Sequence, residues 1–148
     1  MSINRRGNQL GGRAAITGIG ATEFSKDSGR SEMSLASEAV AAAITDAGLK
    51  PCDIDGMVTY SADNNPDVEI ARHVGIGALR HFSRVHYGGG AACGTIVQAA
   101  MAVATGVADA VVCYRAFNER SGRRFGAGVQ DIPIAATATR PKSCEVAP

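Results

Sequence analysis

A chain of 148 residues with a net charge of +1, 45% hydrophobic and 5% aromatic with no tryptophan, has the size of one domain and the composition of a globular protein rather than a disordered one. The balanced charge leaves no electrostatic footprint for nucleic acid or an anionic membrane surface, and the few rings offer no stacking platform for single strands. Cys52, Cys93, Cys113 and Cys144 show neither CxxC nor Cys/His spacing and no apolar signal core opens the chain, so no metal site is evident and free thiols in a reducing cytoplasm are expected.

Strand and helix patterns alternate along the chain. Residues 14–19 (Ala14 to Ile19) read as a first strand, closed by Gly18 and Gly20. A helix is expected over residues 34–47, with Ser34 as N-cap, Gly48 as the residue after the C-cap, and an apolar stripe of Ala36, Val40, Ala43, Ile44 and Ala47. Asp53 and Asp55 lead into a short strand, Met57 to Tyr60. Asn65-Pro66-Asp67 then has the form of a helix start, with the proline at the first helical position and an acid at the positive end. Gly75 is expected to stop that helix before a third strand, Arg80 to Val85. A glycine triplet, Gly88-Gly89-Gly90, opens a third helix over residues 91–105, which Gly106 ends before a fourth strand, Ala110 to Tyr114.

That third helix is unusual in having almost no polar side. Ile96, Ala99, Ala100, Val103 and Val107 make one stripe, while Val97, Met101, Ala102 and Ala104 cover the remaining directions. A surface helix shows one apolar face, whereas a helix apolar all round needs cover on every side. The run is Ala-rich and no Lys/Arg cluster anchors its ends, so a buried helix is expected rather than a membrane span. The order β-α-β-α-β-α-β implies α/β architecture with parallel strands and right-handed crossovers. Residues 129–148 show no periodicity and read as a coil tail beyond a domain of residues 1–128.

The candidate chemistry is sparse. Glycines ahead of a helix suggest an anion site, but Gly88-Gly89-Gly90-Ala91-Ala92-Cys93 is not GxGxxG, and Gly18-Ile19-Gly20-Ala21-Thr22-Glu23 lacks the third glycine. Close backbone packing is the commoner use of such glycines. Cys93 lies in the first turn of the apolar helix, where a dipole can activate a thiol, although most free cysteines are small buried hydrophobes. His73, His81 and His86 are possible bases on separate elements, each more commonly structural. Asn118-Glu119-Arg120 with Arg123-Arg124 is a charged loop past a strand end, where α/β proteins bind ligands, with solvated charge as its ordinary role.

Together the runs Ala14-Ala15-Ile16-Thr17-Gly18-Ile19-Gly20-Ala21-Thr22-Glu23-Phe24-Ser25, His86-Tyr87-Gly88-Gly89-Gly90-Ala91-Ala92-Cys93, Gly106-Val107-Ala108-Asp109 and Tyr114-Arg115-Ala116-Phe117-Asn118-Glu119-Arg120-Ser121-Gly122 resemble the thiolase-like lipid-transfer proteins. These are the sterol-carrier-protein-x type thiolases and steroid side-chain aldolases. The resemblance covers about residues 14–126 and implies the N-terminal half of an αβαβα layered fold, with the apolar helix between two sheets. It implies a truncated, inactive half of an acyl-CoA C–C bond-cleaving or acyl-transferring enzyme of lipid metabolism. A subunit completed by a separate C-terminal half and a stand-alone nucleotide- or lipid-binding module are the alternatives. By the same resemblance His86, Tyr87, Gly88, Gly89, Gly90 and Cys93 border the substrate, a coenzyme A thioester, with no resident cofactor or metal. The thiolase nucleophile position falls on Gly89 and leaves Cys93 one turn late, so no catalytic residue is assigned and Cys93 is only a candidate. Family members lacking that cysteine resemble aldolases acting on steroid-CoA thioesters, with catalytic residues in the second half. A homodimer and a small OB-fold, DUF35-type partner are the implied assemblies.

Overall fold

Three parallel strands, β1 (Gly56–Tyr60), β2 (His81–Val85) and β3 (Val111–Tyr114), form a sheet in the order β2-β1-β3 in the computed structural model, which describes residues 10–60, 65–86 and 91–118. Gly56 lies opposite His81 on one side and Val111 on the other. Every residue of β1 is buried, as expected of a central strand covered on both faces. The fully buried Thr59 donates its hydroxyl to the Tyr114 carbonyl at 3.3 Å, which removes the cost of burying an unpaired hydroxyl.

Helices α1 (Glu32–Asp46) and α2 (Asp67–Val74) pack together on one face, and α3 (Ala91–Ala104) covers the other. The core lies on the first face, where Leu35, Ala36, Val40 and Ile44 of α1 meet Ile70 and Ala71 of α2 over Met57, Val112 and Tyr114. Burying a side chain such as Ile70 or Val40 contributes about 1.5–3 kcal/mol.

All three helices stop at glycines with positive φ, namely Gly48 (69°), Gly75 (85°) and Gly106 (73°). After α1 the N–H of Gly48 reaches the Thr45 carbonyl and that of Leu49 the Ile44 carbonyl. Gly106 and Val107 repeat this with Val103 and Ala102, the paired bonds of a Schellman end.

Three expectations need correcting. Helix α1 starts at Glu32, and its cap is Ser31, whose hydroxyl accepts the Ser34 N–H at 3.1 Å; the acid at Glu32 favours this earlier start at the positive helix end. Pro66 is the N-cap of α2 rather than its first helical residue, because its ψ of 129° is extended. Residues 14–19 form no strand. They lie beside α1 without regular structure, where a β-carbon on Gly18 would stand 2.3 Å from the Ala43 carbonyl oxygen and one on Gly20 would stand 2.2 Å from that of Ala39. The Ile19 N–H donates to the Asp46 carboxylate at 2.9 Å. The glycines thus serve backbone-to-helix contact, Ile16 and Ile19 are exposed, and the described sheet has three strands where four were expected.

Among the described residues, helix α3 is covered only on its sheet side. Thr95 and Ala102 are buried, whereas Ile96, Val97 and Met101 are 45%, 50% and 38% exposed. The expected stripe through Ile96 is therefore not the one against the sheet. Small residues allow close approach there, and the large apolar side chains are left uncovered. The polar exception, Thr95, is satisfied inside the helix by donating to the Ala92 carbonyl at 2.6 Å.

The amino end of the sheet is tied by Asp55. Its carboxylate accepts the N–H groups of Asp109 (2.9 Å) and Ala110 (3.0 Å) and pairs with Arg80 at 3.3 Å, and Arg80 also reaches Asp109. Desolvation, the largest single influence, pushes the Asp55 carboxyl upward. The Ala110 and Asp109 amides and the Arg80 guanidinium outweigh it and hold the group below the ordinary carboxylate value.

Candidate functional site

The opposite, carboxyl end of the sheet is where parallel α/β proteins bind ligands, and two clefts lie there. Their shared element is the chain leaving β3. The Tyr114 hydroxyl donates to the Asn65 carbonyl at 3.2 Å, and Arg84 reaches the same carbonyl at 3.3 Å, so Asn65, just ahead of α2, is fixed to the ends of β2 and β3. The next residue, Arg115, places its guanidinium 5.7 Å from the Tyr60 ring centroid and 4.5 Å from that of Phe117, within cation–π range of both.

The smaller cleft, about 190 Å³, lies between α3 and the sheet end, with Tyr60, Thr95, Ile96, Cys113 and Arg115 in its walls. The Cys113 thiol donates to the Thr95 carbonyl at 3.5 Å, and burial pushes its pKa up to about 11. It is a neutral thiol at pH 7 and no nucleophile. The larger cleft, about 320 Å³, lies between residues 20–28 and residues 115–118, with Arg115 again in its wall beside Thr22, Ser25 and Asn118. The Asn118 amide donates to the Arg30 carbonyl at 3.1 Å, holding the two walls together.

The residues singled out from the sequence are only partly accounted for. Cys93 is the third residue of α3, as expected, and is exposed; His86 is exposed just beyond β2. Neither lines either cleft. Tyr87, Gly88, Gly89 and Gly90 lie outside the described residues, as do Glu119, Arg120, Arg123, Arg124, Cys144 and the whole of 129–148. His73 sits on α2, its Nδ1 2.8 Å from the Glu69 carbonyl, and His81 begins β2, so the histidines are not brought to one place. Among the described residues no His/Cys/Asp/Glu cluster suited to a metal occurs, and no helix is long and apolar enough to cross a membrane. Gly18 and Gly20 have a packing role, which removes the observation favouring a nucleotide loop there.

Arg115, Tyr60 and Phe117 were missed as a group. The available signal was an arginine placed directly after an apolar strand and followed two residues later by an aromatic ring. Tyr60 could not be joined to it from sequence, because the pairing of β1 with β3 is needed to bring them together.

No family model matches the chain. It is 70% identical over 119 residues to a steroid side-chain-cleaving aldolase of Thermomonospora curvata, an alignment covering 80% of this chain and 30% of that protein. A 17-hydroxy-3-oxo-4-pregnene-20-carboxyl-CoA lyase of Mycobacterium tuberculosis is 66% identical over 117 residues, covering 79% of this chain and 30% of that one. The solved Ltp2-ChsH2(DUF35) aldolase superposes with a TM-score of 0.72 at 68% identity, over 78% of this chain and 31% of that chain. The homologues are thus steroid side-chain-cleaving aldolases, and this chain spans about 30% of the length of the curated relatives it matches.

Proposed function

We propose that the chain is the N-terminal part of a thiolase-like aldolase that cleaves the side chain of a steroid coenzyme A thioester, working with a DUF35-type partner. The observation that carries this reading is the 70% identity to a steroid side-chain-cleaving aldolase. The name of the second relative describes a thioester on C20 and a hydroxyl on the adjacent C17, a β-hydroxy thioester. Such a compound cleaves by retro-aldol chemistry. A base removes the hydroxyl proton, the oxygen electron pair forms the C17 carbonyl as the C17–C20 bond breaks, and the released pair becomes a thioester enolate that is protonated at C20. A ketone and a shorter acyl-CoA result, with no oxidant or thiol nucleophile required.

The described residues suit this better than thiolysis. Cys113 is held as a neutral thiol, and Cys93 lines neither cleft. On this reading the chain supplies the sheet, the clefts and one wall of the interior, and the base and enolate-stabilising donors come from the rest of the enzyme. The exposed Ile96, Val97 and Met101 fit a helix placed between two sheets of an αβαβα arrangement.

The test is to join this chain to the remaining residues of the Thermomonospora relative, add the DUF35 subunit of the solved Ltp2-ChsH2 aldolase, and assay cleavage of the 17-hydroxy-20-carboxyl-CoA substrate. Ketone release by the completed assembly, with none from the chain alone, is expected. Activity of the chain alone, or cleavage that depends on added coenzyme A, would overturn the reading.

A further inference from the structure

We propose that Arg115 is the contact for a phosphate group of the substrate's coenzyme A portion, held in the larger cleft at the carboxyl end of β3; this rests on the thioester reading above. Arginine suits that role because its planar N–H donors meet phosphate oxygens in pairs. A guanidinium poised between two aromatic rings loses less freedom on binding than a solvated one, and Arg115 lies 4.5 Å from the Phe117 centroid and 5.7 Å from that of Tyr60.

The surroundings are suited to an anion. Thr22, Ser25 and Ser28 bring hydroxyl groups to one wall of the cleft and Asn118 an amide to the other, and Glu23 is the single carboxylate in the lining. A volume of about 320 Å³ falls at the lower end of small-molecule sites. Both walls are fixed. Gly18 and Gly20 are seated on α1 with no room for a β-carbon, and Asn118 is bonded to the Arg30 carbonyl. The smaller cleft is walled mainly by apolar groups and shares only the arginine with these donors.

The experiment titrates the 148-residue chain with coenzyme A, and separately with a neutral 3-oxo steroid lacking that group, reading heat of binding and the Arg115 side-chain resonance. Arg115→Gln should weaken coenzyme A binding about tenfold or more, Arg115→Lys should retain part of it, and neither should change steroid affinity. Circular dichroism melting of both variants confirms that the fold is kept. Coenzyme A bound equally well by Arg115→Gln, or not bound by the unaltered chain, overturns the assignment. If the completed assembly still cleaves its substrate in that case, the proposed function stands without Arg115. A tenfold loss in an assembly that cleaves nothing would leave the phosphate contact in place and remove the aldolase reading.

Discussion

Helices α1 and α3 lie on opposite faces of the same three strands and use their apolar residues in opposite ways. Helix α1 directs Leu35, Val40 and Ile44 into the core and shows Glu38, Ala41 and Thr45 to solvent. Helix α3 lays Thr95 and Ala102 toward the sheet and leaves Ile96, Val97 and Met101 outside. The first arrangement is that of a helix with one neighbour. The second leaves the outer side of the helix without cover among the described residues. Apolar content alone does not separate the two helices; the direction of the large side chains does.

Truncating a large apolar residue on each side breaks or sharpens this contrast most strongly. Ile70→Ala, at a fully buried site, should cost about 2–5 kcal/mol in urea unfolding. Ile96→Ala should change stability by less than about 0.5 kcal/mol in the isolated chain while reducing hydrophobic-dye binding. Equal losses would mean that α3 is as well packed as the other face. Gly20→Ala comes next, because its β-carbon would stand 2.2 Å from the Ala39 carbonyl oxygen; displacement of the segment from α1 should cost about 1–3 kcal/mol, with faster proteolysis near Thr22.

Asp55→Ala removes the acceptor for two backbone N–H groups and should cost about 1–3 kcal/mol at pH 7. The folded pKa of Asp55 lies below its unfolded value. Its stabilisation is therefore complete above about pH 5 and is lost as pH falls through the folded pKa. The variant should show a shallower decline of stability in acid, and an unchanged decline would contradict the role. Ser31→Ala has the smallest expected effect, about 1 kcal/mol, and should lower helicity at residues 32–35 without touching α3.

Much of this was legible before any coordinates. Gly48, Gly75 and Gly106 end helices where the apolar patterns stop, because a left-handed residue after a helix is a local requirement that glycine meets. The all-round apolar character of α3 was plain, but its orientation was not: Ile96 was placed in the main stripe, and the sheet instead takes the smaller Thr95 and Ala102. Residues 14–19 misled because strand-like alternation is a local pattern, while a strand exists only when a neighbouring strand accepts its hydrogen bonds. The Asp55–Arg80–Asp109 tie and the Tyr60–Arg115–Phe117 group join residues far apart in the chain, so no spacing could disclose them. The residues bordering the substrate by resemblance fall largely at 87–90, and of that set the described structure locates only His86 and Cys93.

On the proposed function, the outer side of α3 becomes an interior surface once the remaining residues of such an aldolase are present. Val97→Cys, in a background with Cys52, Cys93 and Cys144 changed to Ser and the half-buried Cys113 changed to Ala, offers a thiol at a position 50% exposed in the chain alone. Maleimide labelling of that thiol should be rapid in the isolated chain and suppressed at least about tenfold when the remaining residues and the partner are present. Equal labelling rates in the two forms would contradict the account.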